Sequence, residues 1–196
     1  MTKSRSTPPA ARFPEASDSL RLEKLDQVVA VKGYGKLKTR AIRPNDEKGM
    51  VHFHQSISEE SIYMRYFEYL GLDQRTSHER LIRICTNTPE SYAIVVEEVA
   101  VTSSYPATIL AVGRLTTTAE PYVVSFDKLT VDEEDPPQLG KVLLHRLIKL
   151  AQVFGFQILA CDLLVADHDT LTLCRTLGFS VQTLPEGGLV RVTLAL

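Results

Sequence analysis

The sequence predicts a mixed α/β (α+β) domain, with a mostly antiparallel central sheet flanked by helices. Three observations lead to this. Helical periodicity dominates from Pro44 to Cys85, three consecutive segments rich in β-branched residues follow up to Val131, and a helix, a strand, a second helix and a closing strand pair complete the chain. The length of 196 residues suits one domain plus an extension, and 44% apolar with 23% charged residues is close to the soluble globular average, so a substantial core is available.

Residues 1–25 read as a disordered or loosely attached arm, because Pro, Ser, Ala and isolated charges occur there without periodicity; 26–196 read as a single domain. LKTRAIR, from Leu37 to Arg43, is a short strand, and Pro44 with Asn45 and Asp46 opens a helix, as proline does in a first turn. Ser58 starts a second helix, SEESIYMRYFEYLG, with Glu59 and Glu60 in its first turn and Gly71 as its stop. Ile62, Tyr66, Phe67 and Leu70 share one face of it, and Tyr63, Tyr66, Phe67 and Tyr69 read as a core stripe. DQRTSHERLIRIC continues as a helical segment from Asp73.

SYAIVVEEVAV, TILAVGRLTTT and YVVSFDKLTV are then predicted strands, separated by Pro106 and by Glu120-Pro121 and arranged as an antiparallel meander. From Val142 to Phe154, Leu143, Leu147, Leu150 and Phe154 form one helical face, while Lys141, His145, Lys149 and Gln152 lie on the other; Gly155 ends the helix. FQILACDLLVA is an apolar strand reached by a right-handed crossover. DHDTLTLCRTLG is a helix capped by Asp167 or Asp169 and stopped by Gly178, and FSVQTL with GLVRVTLAL closes the sheet.

A formal charge of −2 supplies no general field for nucleic acid or anionic lipid, so neither is an expected partner. Cys85, Cys161 and Cys174 are odd in number and lack zinc-type spacing, which predicts free thiols in a reducing compartment and a cytoplasmic location. The first residues contain no continuous apolar stretch, and no later run approaches the ~20 apolar residues of a membrane span. His52 and His54 form an HxH pair with no third ligand at suitable spacing, so no metal is assigned.

The stretch VDEEDPPQLGKVLLHRLIKLA, from Val131 to Ala151, carries most of the chemistry. It passes from a strand through a short loop into a helix, and a helix start holds phosphate through unpaired N–H groups and the dipole. Glycines normally let a ligand approach such a backbone; here Pro136, Pro137 and Gln138 stand after the acidic run Asp132, Glu133, Glu134 and Asp135. The prolines remove two donors, and the carboxylates oppose a polyanion.

The order of elements, with AIRPNDE at Ala41, FHQSISEESIYMRYF at Phe53 and LTLCRTLGFSV at Leu171, resembles the GNAT superfamily of acyl-CoA-dependent N-acyltransferases, from Leu37 to about Val181. Within it the chain is most similar to the GNAT domains of bacterial protein-lysine acetyltransferases. The resemblance implies a GNAT fold with a V-shaped cleft between the fourth and fifth strands, Tyr122–Val131 and Phe156–Ala166. Acetyl-CoA or another acyl-CoA would lie there as co-substrate, its pantetheine against Leu129, Thr130 and Val131. Its pyrophosphate would meet Gln138, Leu139, Gly140 and Lys141. Of the family's Q/R-x-x-G-x-G/A loop only Gly140 is present, since Asp135 and Gln138 stand at the other two positions.

Acyl transfer needs a neutral amine and a proton for the departing thiolate. Ser125 stands where the lysine-acetylating relatives have a glutamate base, and Asp127, two residues on and on the same strand face, is the substitute candidate. Cys174 occupies the position of the family's thiolate-protonating tyrosine, and Asp167 that of an asparagine, where an N-cap role competes. His145 and His168 fall near the implied cleft as surface histidines, and Arg65 or Tyr69 would border the acceptor. The resulting expectation is transfer of an acetyl or other short acyl group to an amine, including a protein lysine. The alternative is a GNAT-fold domain without turnover that binds a ligand or a partner. A homodimer through the apolar strand LVRVTLAL is a further expectation.

Overall fold

A computed structural model describes residues 11–14, 26–99, 107–132, 136–185 and 187–196. Its sheet has eight strands: β1 (Gln27–Val31), β2 (Gly35–Ala41), β3 (Ser91–Glu98), β4 (Ile109–Thr117), β5 (Val123–Thr130), β6 (Ile158–Leu164), β7 (Ser180–Thr183) and β8 (Leu189–Ala195). Their spatial order is β1-β2-β3-β4-β5-β6-β8-β7, and every neighbouring pair is antiparallel except β5 with β6. A 3-10 turn (Pro44–Asp46) leads into α1 (Glu47–Gln55), followed by α2 (Glu59–Tyr66), α3 (Leu72–Arg75) and α4 (His78–Ile84). Helix α5 (Pro136–Val153) crosses from β5 to β6, and α6 (His168–Thr176) lies between β6 and β7.

The predicted meander is observed, and so is the closing pair. Strand β1 is an addition: it forms a hairpin with β2 through Lys32–Tyr34, with Gly33 in the turn at φ 92° and Gly35 at the start of β2 at φ 75°. This shifts the strand count by one, so the predicted fourth and fifth strands are β5 and β6. One predicted helix ends earlier than expected and another is broken in two. Phe67 enters the left-handed region at φ 59° and donates its N–H to Tyr63, which stops α2 well before Gly71. The predicted core stripe fails with it: Phe67 and Tyr69 are 41% and 74% exposed, and Tyr69 stacks on Tyr63. The segment from Asp73 breaks into α3 and α4 at Thr76-Ser77.

Helix α5 packs on β3, β4 and β5, and α1 and α2 cover the other face of β4 and β5. Gly113 on β4 permits the first contact, because a Cβ there would lie 2.8 Å from Leu147 Cδ1 and 3.0 Å from Leu143 Cδ1. On the opposite face, Arg40 of β2 clamps the entry to α1. Its guanidinium donates to both Asp46 oxygens at 2.7 and 2.8 Å and to Glu97 at 2.6 Å. Burial works against that charge, but the two carboxylates outweigh it and raise the Arg40 pKa. This explains the Ala41–Glu47 motif physically: Asp46 ties the strand end to the helix start and also accepts the Arg43 N–H at 2.7 Å.

Strand β8 is paired on both sides, with β6 and with β7, so the apolar strand LVRVTLAL is not a sheet edge; the outer strands are β1 and β7. Among residues 11–14, Phe13 is fully buried against Tyr92, Phe154 and Phe156, with ring centroids 6.0, 5.5 and 5.2 Å away. The rest of the predicted arm lies outside the described residues. Among the described residues no helix is long and apolar enough to cross a membrane.

Candidate functional site

The site begins where the sheet splits. β5 and β6 pair over only three residues, Val123↔Ile158 to Ser125↔Ala160, and then separate, whereas β5 pairs with β4 as far as Thr130. The Val131 N–H donates to Leu110 O at 2.9 Å, so Val131, Leu129 and Asp127 share the parity that bonds to β4. The backbone groups of Phe126, Lys128 and Thr130 therefore face the gap beyond the last β6 pair. Of the three residues expected to meet a pantetheine, Thr130 offers its backbone to the cleft; Val131 and Leu129 spend theirs on β4.

The cleft has a volume of about 860 Å³ and runs between α2, β5, the start of α5, β6 and α6. Leu129, Thr130, Gln138, Gly140 and Lys141 line it; Val131 and Leu139 do not, and Leu139 is fully buried in the core. The expected loop is already helix, because α5 starts at Pro136. The amides of Gly140 and Lys141 thus fall past its first turn, where each bonds to a carbonyl four residues back, and the Gln138 N–H remains as the free first-turn donor among the described residues. Prolines suit this position because a first-turn N–H has no helical partner in any case. Gly140 serves packing as well as approach, since a Cβ there would lie 3.3 Å from Leu173 Cδ2 of α6 and 3.9 Å from Lys128 Nζ.

Lys128 is the cation that sequence reasoning missed. Its side chain lies on the helix face of β5 beside Gly140, so with Lys141 it gives the cleft two ammonium groups near the start of α5. The strand pattern contained this signal, because Lys128 alternates in parity with Asp127. Asp132 works differently from the expected repulsion. It anchors the start of α2, whose N-cap is Ser58, accepting from the Ser58 N–H and, at 2.6 Å, from the Ser61 hydroxyl. Glu133, Glu134 and Asp135 lie outside the described residues.

Asp127 lines the cleft and is ion-paired with Arg65 of α2. Burial disfavours the Arg65 charge, and Asp127 more than offsets this, so the Arg65 pKa is raised. Arg114 stands directly opposite Asp127 on β4. Ser125 donates its hydroxyl to Thr116 O at 3.1 Å, a structural use.

Cys174 does not meet the expectation placed on it. It is fully buried and lines neither described cavity, and burial pushes its pKa up to about 12. Such a thiol is a poor proton donor to a thiolate whose own acid has a pKa of roughly 8.5. Cys161 does line the cleft, though burial raises its pKa as well. Asp167 is the N-cap of α6, accepting the Thr170 N–H at 3.0 Å, and His168 beside it is exposed at the cleft. His145 lines neither described cavity. His52 is exposed with Nδ1 2.8 Å from Lys48 O, and His54 is buried.

A sheet opened between one parallel pair of strands, with a helix start at the mouth of the gap, defines the class: the chain has the GNAT fold, that of the GCN5-related N-acetyltransferases. Among solved structures it is similar to the GNAT domain of S. lividans PAT, with a TM-score of 0.75 and 20% identity over 88% of this chain and 98% of that one. It is also similar to a GCN5-related N-acetyltransferase from Kribbella flavida, at a TM-score of 0.63 and 18% identity over 82% and 98% of the two chains. Mycobacterium smegmatis RimJ, solved in complex with CoA-disulfide, gives a TM-score of 0.70 and 8% identity over 87% and 86%. No family model matches the chain.

Proposed function

We propose that this chain is an acyl-CoA-dependent N-acyltransferase that moves an acetyl or other short acyl group to an amine. The observation that carries the reading is the free inner edge of β5: Lys128 and Thr130 present unpaired backbone groups to a cleft of about 860 Å³. A pantetheine amide can pair with that edge as an added strand would. Lys128 and Lys141 stand near the start of α5 to offset a pyrophosphate, in place of the N–H donors lost at Pro136 and Pro137. The amine attacks the thioester carbonyl, Asp127 accepts its proton, and the departing thiolate is protonated from solvent because the Cys174 thiol is buried. The amine class includes a protein lysine side chain. The free thiols of Cys85, Cys161 and Cys174 support a reducing, cytoplasmic setting as part of the same proposal.

A second reading, a GNAT-fold module that binds a ligand without turnover, is favoured by Pro136 and Pro137 in the first turn of α5 and by Ser125 at the family's base position. Thermal melting and calorimetry with millimolar acetyl-CoA separate the cases first, since a ligand of the folded state raises its stability. The acyltransferase reading expects saturable binding and amine-dependent release of free CoA thiol. Binding without thiol release across an amine panel leaves the module reading, and no binding by a folded protein rejects both as acyl-CoA functions.

A further inference from the structure

A second cavity of about 320 Å³ lies on the other side of the Arg65–Asp127 pair, between α1, α2, α4 and strands β4 and β5. Four arginines line it, Arg65, Arg80, Arg83 and Arg114, with two acidic residues, Glu68 and Asp127. Two of the arginines are occupied. Arg65 is paired with Asp127, and Arg114 donates to Ser91 at 2.6 Å and to Ile84 O at 2.5 Å. Arg80 and Arg83 take part in no salt bridge among the described residues. Arg80 is held over the Tyr66 ring, 5.0 Å from its centroid, and its buried Nε has no protein partner.

His54 supplies an independent observation. It is 1% exposed, lines this cavity, and neither ring nitrogen has a protein partner. A buried imidazole without partners is costly, and Arg65 and Arg80, both over the Tyr66 ring at 4.8 and 5.0 Å from its centroid, repel one another. One anion relieves both at once. Burial, reinforced by Arg75 and Arg80, pushes the His54 pKa down to about 4, so at neutral pH the ring brings an N–H donor and no charge.

We propose that this cavity binds the anionic group, a carboxylate or a phosphate, of a small amine acceptor, with Arg80 and Arg83 as its charge partners and His54 as a hydrogen-bond donor. The word acceptor rests on the acyltransferase reading; the anion site does not. Arg65, Asp127 and Leu129 line both cavities, so a ligand anchored on Arg80 and Arg83 has its amine end directed to the Asp127 carboxylate beside the thioester cleft. The volume is at the lower end for ligand cavities, roughly 300–1,000 Å³, and suits a small molecule.

The test uses the full chain without acyl-CoA and pairs of amines, one member of each carrying an anionic group and the other lacking it. β-Alanine is compared with β-alaninamide, and O-phosphoethanolamine with ethanolamine, by calorimetry and by the His54 ring signals in NMR, assigned with a His54→Gln variant. At least one anionic member is expected to bind saturably, roughly tenfold or more tightly than its counterpart without the anionic group, and to shift the His54 signals. The stronger of the two anionic probes identifies carboxylate or phosphate. Arg83→Gln, at an exposed position, and Arg80→Gln are each expected to weaken that binding. With acetyl-CoA present, Arg83→Gln is expected to raise KM for the anionic amine with little change in kcat. Equal binding with and without the anionic group, or anion binding that survives both substitutions together, overturns the proposal. Acetyl-CoA binding is measured alongside. Acetyl-CoA binding without anion capture rejects this proposal alone, and anion capture without acetyl-CoA binding rejects the acyltransferase reading and with it the acceptor role.

Discussion

Asp127→Asn keeps the side-chain shape and removes its capacity to accept a proton. If Asp127 is the base, amine-dependent CoA release should fall by about 10²–10⁴-fold while acetyl-CoA affinity stays within a few-fold. An unchanged turnover number would reject the assignment. His54 gives the second residue-scale prediction. Its pKa is depressed from 6.5 to about 4 in the folded chain, so between those values the unfolded chain binds more protons and folding loses stability as pH falls. The contribution is fully present above pH 6.5 and, by pH 4, its loss amounts to on the order of 3 kcal/mol. Urea melts from pH 7 to 4 should show this slope, and His54→Leu should flatten it. Simple alternation in the sequence puts Asp127 on the same strand face as Ser125, which the register of β5 with β4 shows. It had no means of pairing Asp127 with Arg65, which comes from a different element, or of gathering Arg80, Arg83 and His54 around one cavity, because those contacts depend on how α1 and α4 settle on the sheet.

At the scale of elements, α5 departs from the sequence expectation at its start, Pro136, rather than along its length. Two prolines after an acidic run look like a loop, yet proline fits the first helical turn. That difference changes the chemistry: it leaves Gln138 as the free first-turn N–H and moves Gly140 into a helix contact. Replacing Pro137 by Ala together with Gln138 by Gly should restore one donor and ease ligand approach. The expected gain in acetyl-CoA affinity is roughly fivefold, the equivalent of one hydrogen bond, measured by calorimetry. No gain would mean the phosphates lie elsewhere than on the start of α5. The opposite face of the same helix is less tolerant. Gly113→Ala would press a methyl against Leu147 and Leu143 and should cost about 1–3 kcal/mol in denaturant melts. The early end of α2 at Phe67 had no sequence signal, since φ above zero is unusual for a bulky residue and Gly71 offered the more ordinary stop.

At the scale of the whole molecule, the fold was legible because period changes along the chain mark its helices and strands in order. The hairpin strand β1 was not, as QVVAV is short and its pairing depends on Gly33 in the turn and Gly35 at the start of β2. Nor was the anchoring of Phe13, a lone aromatic in a segment of low periodicity. Phe13→Ala should lower stability by roughly 3–5 kcal/mol, because its ring is fully enclosed by Tyr92, Phe154 and Phe156. The three-residue junction of β5 with β6 has a mechanical consequence. It joins a five-stranded half, β1 to β5, to a three-stranded half, β6 to β8, along a short seam. A ligand lying in the gap would act as a splint across that seam, and amide hydrogen exchange would register it. The N–H groups of Lys128 and Thr130, unprotected in the empty sheet, would slow when acetyl-CoA is bound, and the β6–β8 half would slow with them as its separate opening is suppressed.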